Sequence, residues 1–129
     1  MNLGYLLSGD FSFAYSLPTR IFFLMGETKA EIIRAKNGQE AISLLKERKI
    51  DVLITGIGLS GEITGIAVAK LAFELNPQMP IIICSAIEGA RRDPELLKLG
   101  IKDFLIKPIQ MEEFKCVFRR AITIKAMVN

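Results

Sequence analysis

A chain of 129 residues, half of them hydrophobic and 24% charged, suits one packed domain, and we expect residues 1–129 to form a single domain. Because no apolar run approaches the about 18 residues that a membrane span needs, and residues 1–10 lack a secretory signal pattern, we expect a cytoplasmic protein. The net charge of +3 is small and the basic residues of the chain are scattered, which argues against a nucleic-acid partner. The chain has no histidine to act as a general base.

The first predicted element is a short apolar strand from Leu3 to Ser8. A first helix is predicted within residues 11–25, either kinked at Pro18 or starting there, because proline inside a helix removes a hydrogen bond. Six of the ten aromatic residues fall in the first 23 positions. They are either buried by an irregular loop or exposed as a contact patch for a partner or a second copy.

Two helix-starting signals follow. A second strand is predicted from Glu31 to Ala35, and Asn37 with Glu40 three residues later forms a capping box that starts the next helix. A third strand is predicted from Asp51 to Thr55, and Thr64 then caps another helix. The apolar stripe predicted for that helix consists of Ala67, Val68, Leu71, Ala72 and Leu75.

The last third of the chain repeats the alternation. A fourth strand is predicted from Pro80 to Cys84, a helix starts at Asp93-Pro94 and stops at Gly100, and a fifth strand runs from Asp103 to Ile106. A final helix is predicted from about Met111 to Lys125, with a buried stripe of Phe114, Val117, Phe118, Ala121 and Ile122. Both cysteines, Cys84 and Cys116, are predicted to be buried structural thiols.

Five alternations of strand and helix predict a doubly wound α/β domain with a five-stranded parallel sheet. In such a sheet, ligands bind beyond the carboxyl ends of the strands. The residues that follow the strands are therefore the candidate site: Gly9, Asp10, Gly56, Ser85 and Lys107.

The chain resembles the response-regulator receiver domains, which share the flavodoxin-like architecture. This resemblance implies that the five strands are ordered 2-1-3-4-5 in the sheet. The resemblance rests on NGQEA at 37–41, DVLIT at 51–55, NPQMPIIICSA at 76–86 and GIKDFLIKPI at 100–109. It runs from Ala35 to Ala121 and is closest to the receivers of hybrid sensor kinases. It implies that Ser85 and Lys107 match the two residues that hold the phosphoryl oxygens, and that Phe104 matches the aromatic residue that reports the switch.

The resemblance fails at the acidic residues. Receivers place two acidic residues after the first strand and a phosphate-accepting aspartate after the third, and together these bind Mg²⁺. Here the first acidic position is Gly9 and the acceptor position is Gly56, so only Asp10 is left. Mg²⁺ binding is expected to be lost or weak, because this ion needs several oxygen ligands.

We therefore expect a degenerate pseudo-receiver that is not an enzyme, holds no cofactor and acts by contact with a sensor kinase or an output domain. Its expected output surface lies at about Asp93 to Lys125, and a homodimer is a second form of contact. Two alternatives stay open: a working phosphoreceiver with another acceptor such as Asp10, and a flavodoxin-like small-ligand binder. An enzyme proper would need a nucleophile and a base, and no such set is visible.

Overall fold

The computed structural model describes residues 3–8, 30–59, 61–101, 103–107, 110, 112–114, 116, 117 and 119–121. The predicted first helix with Pro18, most of the early aromatics, and the candidate site residues Gly9 and Asp10 lie outside these ranges. In the described part of the chain, no helix is long and apolar enough to cross a membrane.

Five parallel strands form one sheet in the order β2-β1-β3-β4-β5, which confirms the predicted architecture. The strands are rich in isoleucine, leucine and valine, and the described side chains of β3 and β4 are buried except at the last residue of β3. Such strands need cover on both faces of the sheet. Their bounds are β1 Leu3–Ser8, β2 Ala30–Ala35, β3 Val52–Gly56, β4 Ile81–Ser85 and β5 Asp103–Ile106.

The register brings the carboxyl ends of β3, β4 and β5 side by side. Gly56, the last residue of β3, pairs with Cys84 in β4. Ser85, the last residue of β4, pairs with Ile106 in β5. This register places Gly56, Ser85 and the residue after Ile106 at one edge of the sheet, where parallel α/β domains bind their ligands.

The first described helix, α1, spans Gly38–Glu47 and is capped by Asn37, whose side chain accepts a hydrogen bond of 2.8 Å from the Glu40 backbone N–H. Glu40 also reaches back, as a capping box requires. Its carboxylate accepts at 3.2 Å from the N–H of Lys36, one residue before the position that the motif predicts. The cap is confirmed, and the reciprocal contact is displaced by one residue.

The second described helix, α2, spans Gly65–Leu75 and starts at Thr64, whose hydroxyl accepts from the Ala67 N–H at 3.2 Å. Its predicted apolar stripe was partly wrong, because Ala67 is exposed and Leu75 is 49% exposed. The buried face of α2 consists of Gly65, Val68, Ala69 and Ala72.

A 3-10 helix, Glu88–Arg92, which was not predicted, precedes α3 at Pro94–Lys98. Asp93 caps α3 as expected, since its Oδ1 accepts from two backbone N–H groups. Gly100 has a φ of +76° and ends α3. Its N–H donates to the Leu97 carbonyl, and the next N–H donates to the Leu96 carbonyl, which is the hydrogen-bond pattern of a Schellman motif.

Residues 112–114, 116, 117 and 119–121 are helical, in line with the predicted last helix. Phe114, Val117 and Ala121 are buried, as their spacing predicts. The other two residues of that stripe, Phe118 and Ile122, lie outside the described side chains. Arg120 is joined to Asp103 at the start of β5 by a salt bridge.

The two cysteines differ. Cys84 is 2% exposed within β4, as predicted. The prediction for Cys116 was wrong, because its thiol is exposed on the last helical segment. Cys116 follows the buried Phe114 by two positions, and residues so spaced point to different sides of a helix.

Candidate functional site at the carboxyl edge of the sheet

A cavity of about 550 Å³ opens at the carboxyl ends of β3 and β4. Three of the five candidate residues line it: Gly56, Ser85 and Lys107. The other two, Gly9 and Asp10, are outside the described residues. The rest of the described lining is mostly apolar or small and consists of Ile57, Gly58, Cys84, Ala86, Ile87, Gly89, Ala90 and Asp93.

Neither the backbone conformation nor the neighbouring atoms require a glycine at position 56. Its φ is not in the left-handed region, which the described glycines enter only at Gly61 and Gly100. A Cβ atom built on Gly56 would meet the Cys84 carbonyl oxygen at 3.7 Å and a Leu59 methyl at 3.9 Å, both ordinary contacts. A side chain therefore fits at this position without strain.

Gly65 presents the opposite case across the same loop. Its N–H donates to the Ile57 carbonyl at 2.8 Å, and a Cβ atom at Gly65 would lie 1.5 Å from the Gly56 carbonyl oxygen. No side chain is accommodated there unless the backbone moves. The end of β3 is therefore pressed against the start of α2, and this contact fixes the position of Gly56.

Ser85 is held as a turn residue at the end of β4. Its Oγ accepts a hydrogen bond of 3.0 Å from the Ile87 N–H, the pattern of a serine turn. Its carbonyl accepts from the Lys107 N–H at 2.8 Å, so the main chain ties the two residues together. Because the Oγ acts as acceptor toward Ile87, its own O–H stays a donor for another group.

Lys107 carries the positive charge of the described lining, and this charge affects the pKa of Cys84 on the neighbouring strand. Burial raises the pKa of the Cys84 thiol to about 12, while the Lys107 ammonium acts in the other direction and lowers it. An effect of this kind requires the ammonium to lie near the end of β4. The Lys107 side chain is half-buried and has interactions of its own.

The hydroxyl of Thr55, the neighbour of Gly56 in β3, is buried and already hydrogen-bonded. Thr55 is fully buried, and its Oγ1 donates to the Gly56 carbonyl at 2.9 Å. A buried hydroxyl engaged in this way is a poor nucleophile without a base beside it. Phe104, at the position of the switch aromatic, is 5% exposed and packs in the hydrophobic core.

Several lining residues were missed by the sequence reasoning. The predicted site residues come directly after the strands. Ile87, Ala90 and Asp93 lie further along the chain and line the cavity from the turn after β4, from the 3-10 helix and from the cap of α3. No sequence pattern at residues 88–92 predicted the 3-10 helix. Among the described residues no three metal-ligating side chains cluster, and since Asp10 is not among them, weak Mg²⁺ binding stays a prediction.

Comparisons with known proteins agree with this geometry. A family model described as response regulator receiver domain matches residues 19–119. The chemotaxis protein CheY of Thermotoga maritima is 38% identical over 76 residues, which cover 59% of this chain and 62% of that protein. The transcriptional regulatory protein ZraR of Escherichia coli O157:H7 is 31% identical over 88 residues, which cover 68% of this chain but 20% of the regulator.

Solved structures show the same fold. The receiver domain of the Francisella response regulator 1452 has a TM-score of 0.72 at 24% identity, covering 99% of this chain and 100% of that one. A CheY-like receiver domain from Methanospirillum hungatei JF-1 has a TM-score of 0.80 at 16% identity, with both chains fully covered. With the family match across most of the sequence, the fold and the post-strand residues lead to one assignment: the chain belongs to the response regulator receiver domain family.

Proposed function

We propose that this receiver takes up no phosphoryl group at residue 56 and works in two-component signalling through contacts with protein partners. The observation that carries the proposal is that Gly56, at the end of the central strand and in the lining of the cavity, offers no side-chain oxygen. An acyl phosphate needs a carboxylate nucleophile at that point. Thr55 is buried and does not replace it.

The surroundings of Gly56 support loss of the acceptor rather than a turn glycine. The backbone conformation is one that any residue adopts, and ordinary contact distances leave room for a side chain. The hydroxyl of Ser85 and the ammonium of Lys107 remain beside the vacant position. We infer that the pocket kept the groups that hold phosphate and lost the group that reacts with it.

The contacts with partners are proposed for the surface built by the 3-10 helix, α3, β5 and the last helical residues. Ile87 and Leu97 are 71% and 53% exposed there. Arg91 bridges Glu88 at 2.9 Å and Glu113 at 3.4 Å, so a salt-bridge network joins the 3-10 helix to the last helix. Exposed apolar side chains with a charged rim are typical of protein interfaces.

A phosphorylation assay tests the proposal. The protein and its Gly56→Asp variant are incubated with acetyl phosphate and Mg²⁺ and followed by intact-mass spectrometry. We expect no stable adduct on the natural sequence. We expect an adduct labile to hydroxylamine on Gly56→Asp, since it places a carboxylate at the end of β3, in the cavity that Ser85 and Lys107 also line.

Gly58→Asp is the matched control. Gly58 lines the same cavity, and a Cβ atom there meets nothing within 4 Å, so the carboxylate is added nearby but not at the strand end. It should gain no adduct. A hydroxylamine-labile adduct on the natural sequence would show that the proposal is wrong, and its loss in Asp10→Asn would identify Asp10 as the acceptor.

A further inference from the structure

The cavity beside Gly56 is larger and more apolar than phosphate alone requires. Its volume of about 550 Å³ lies within the roughly 300–1,000 Å³ that is typical of small-molecule sites. Ile57, Ile87 and Ala90 provide apolar wall, and three glycines add no side chain to the space. Apolar walls with a few convergent polar groups describe an organic-ligand site better than an inorganic-ion site.

The described lining holds one side chain of each charge, and Lys107 is the one that could contact an anion. Lys107 supplies the one positive side chain among those lining residues. Asp93 supplies the one carboxylate, and its Oδ1 is already engaged by the N–H groups of Glu95 and Leu96. Lys107 has interactions of its own, so an anion would share its charge with them.

The donors and the apolar wall lie on different sides of one space. Ser85 and Lys107 are joined through their main chains at the β4 and β5 edge. Ile87 and Ala90 belong to the turn that follows, and Ile57 and Gly58 to the loop after β3. A ligand with a charged group at the first side therefore has its body against the second.

Resting on the proposed function, we infer that the cavity binds, without a covalent bond, a small organic anion. Its phosphate or carboxylate group contacts Lys107 and Ser85, and its apolar body fills the space beside Gly56 against Ile57, Ile87 and Ala90. Such a ligand occupies the place where a phosphorylated side chain would otherwise stand. The receiver would then change its state by binding this ligand instead of by accepting a phosphoryl group.

The test is a set of NMR titrations with four probes: phenylphosphonate, benzoate, methylphosphonate and benzyl alcohol. The first two combine a charge with an apolar body, and each of the others keeps only one of these features. We expect at least one of the first two to shift the amide signals of residues 56–58 and 85–90 with a Kd of about a millimolar or tighter. Whichever of these two binds more tightly identifies the charged group, and the single-feature probes should bind at least about tenfold more weakly.

Variants separate the site from the rest of the surface. Lys107→Met should weaken the binding of the anion by about tenfold or more, whereas Lys98→Met, an exposed lysine on α3 outside the cavity, should leave it unchanged. Gly56→Val should block the cavity. If that variant is misfolded by circular dichroism, Gly58→Leu serves instead, because its Cβ has open space.

Three results would overturn the inference: no shifts in these segments, equal binding of methylphosphonate and phenylphosphonate, or unchanged affinity in Lys107→Met. The acetyl phosphate assay on the same preparation keeps the two proposals apart. An adduct on the natural sequence contradicts the proposed function alone, and silent titrations contradict the ligand site alone.

Discussion

Cys84 shows how position in the sheet sets the reactivity of a side chain. It lies in β4 next to Ser85, is 2% exposed and has a pKa of about 12 because burial disfavours the thiolate. Lys107 offsets only part of this effect. Cys116, in contrast, is exposed. The two thiols therefore differ in access and, for Cys84, in the availability of the reactive anion.

We predict that iodoacetamide at pH 8 labels one thiol in the folded protein, Cys116, and both thiols in urea. Because the Cys84 pKa is raised, its thiolate stays scarce below about pH 10 and its labelling should rise only as the pH approaches 12. Intact-mass spectrometry counts the adducts. Cys116→Ser should remain unlabelled at pH 8 when folded, and rapid labelling of that variant would contradict the prediction.

Single residues were predicted well where the signal was local. The caps at Asn37, Thr64 and Asp93 depend on a side chain and an N–H two or three residues away, and all three form. Cys116 was predicted wrongly because burial depends on which face of a helix meets the sheet. Ser85 also acts as a turn acceptor, because its Oγ accepts a hydrogen bond from the Ile87 N–H.

Among the elements, the last helical segment and β5 are joined by a charge pair. Asp103, 7% exposed at the start of β5, accepts a hydrogen bond of 2.8 Å from Nε of Arg120, and a second guanidinium nitrogen also contacts it. If a buried carboxylate loses its donor, no interaction compensates the free energy of its desolvation, and the folded state is destabilised. The pair therefore matters for where this segment docks.

We predict that Arg120→Met lowers the free energy of unfolding by about 1–3 kcal/mol, measured by urea denaturation, because it leaves the Asp103 carboxylate unpaired. Adding Asp103→Leu should recover part of the loss, since replacing both partners by apolar groups costs less than removing one. Arg92→Met, on the exposed 3-10 helix, should change stability by less than about 0.5 kcal/mol. Equal losses in Arg120→Met and Arg92→Met would contradict the assigned role.

The element boundaries show the limit of pattern reasoning. The predicted bounds of β1 and β5 match the structure, while β3 and β4 start one residue later than predicted and end at Gly56 and Ser85. Their ends are set by pairing with neighbouring strands, which a single segment does not reveal. The predicted stripe of α2 was partly wrong because helix spacing alone does not say whether Ala67 or Ala69 faces the sheet.

At the scale of the whole molecule, we expect Mg²⁺ to have little effect on the stability of the folded protein. We predict that about 10 mM Mg²⁺ shifts the thermal midpoint by less than about 2 °C, because a ligand at a concentration below its Kd adds under about 0.4 kcal/mol. The double variant Gly9→Asp with Gly56→Asp should gain several degrees under the same conditions, since more carboxylates hold the ion. A differential scanning calorimeter measures both. An equal gain in the natural protein would contradict the expected loss of the metal site.

The parallel α/β sheet was predictable because regular alternation of strands and helices leaves few topologies, and the resemblance to receivers supplied the strand order that the sheet has. The site was predictable in part, because the carboxyl ends of parallel strands converge and so bring Gly56, Ser85 and Lys107 together. The apolar side of the cavity was not predictable, because the 3-10 helix that contains Ala90 and follows Ile87 has no periodic signature.

The contact between Gly65 and the Gly56 carbonyl has an evolutionary consequence. The backbone around residue 56 is held by a neighbour that tolerates no side chain, while residue 56 itself tolerates one. Every glycine codon differs by a single nucleotide from a codon for aspartate or glutamate, so one mutation is enough to place a carboxylate at residue 56. The backbone at the end of β3 therefore accepts such a side chain without any rearrangement of the fold.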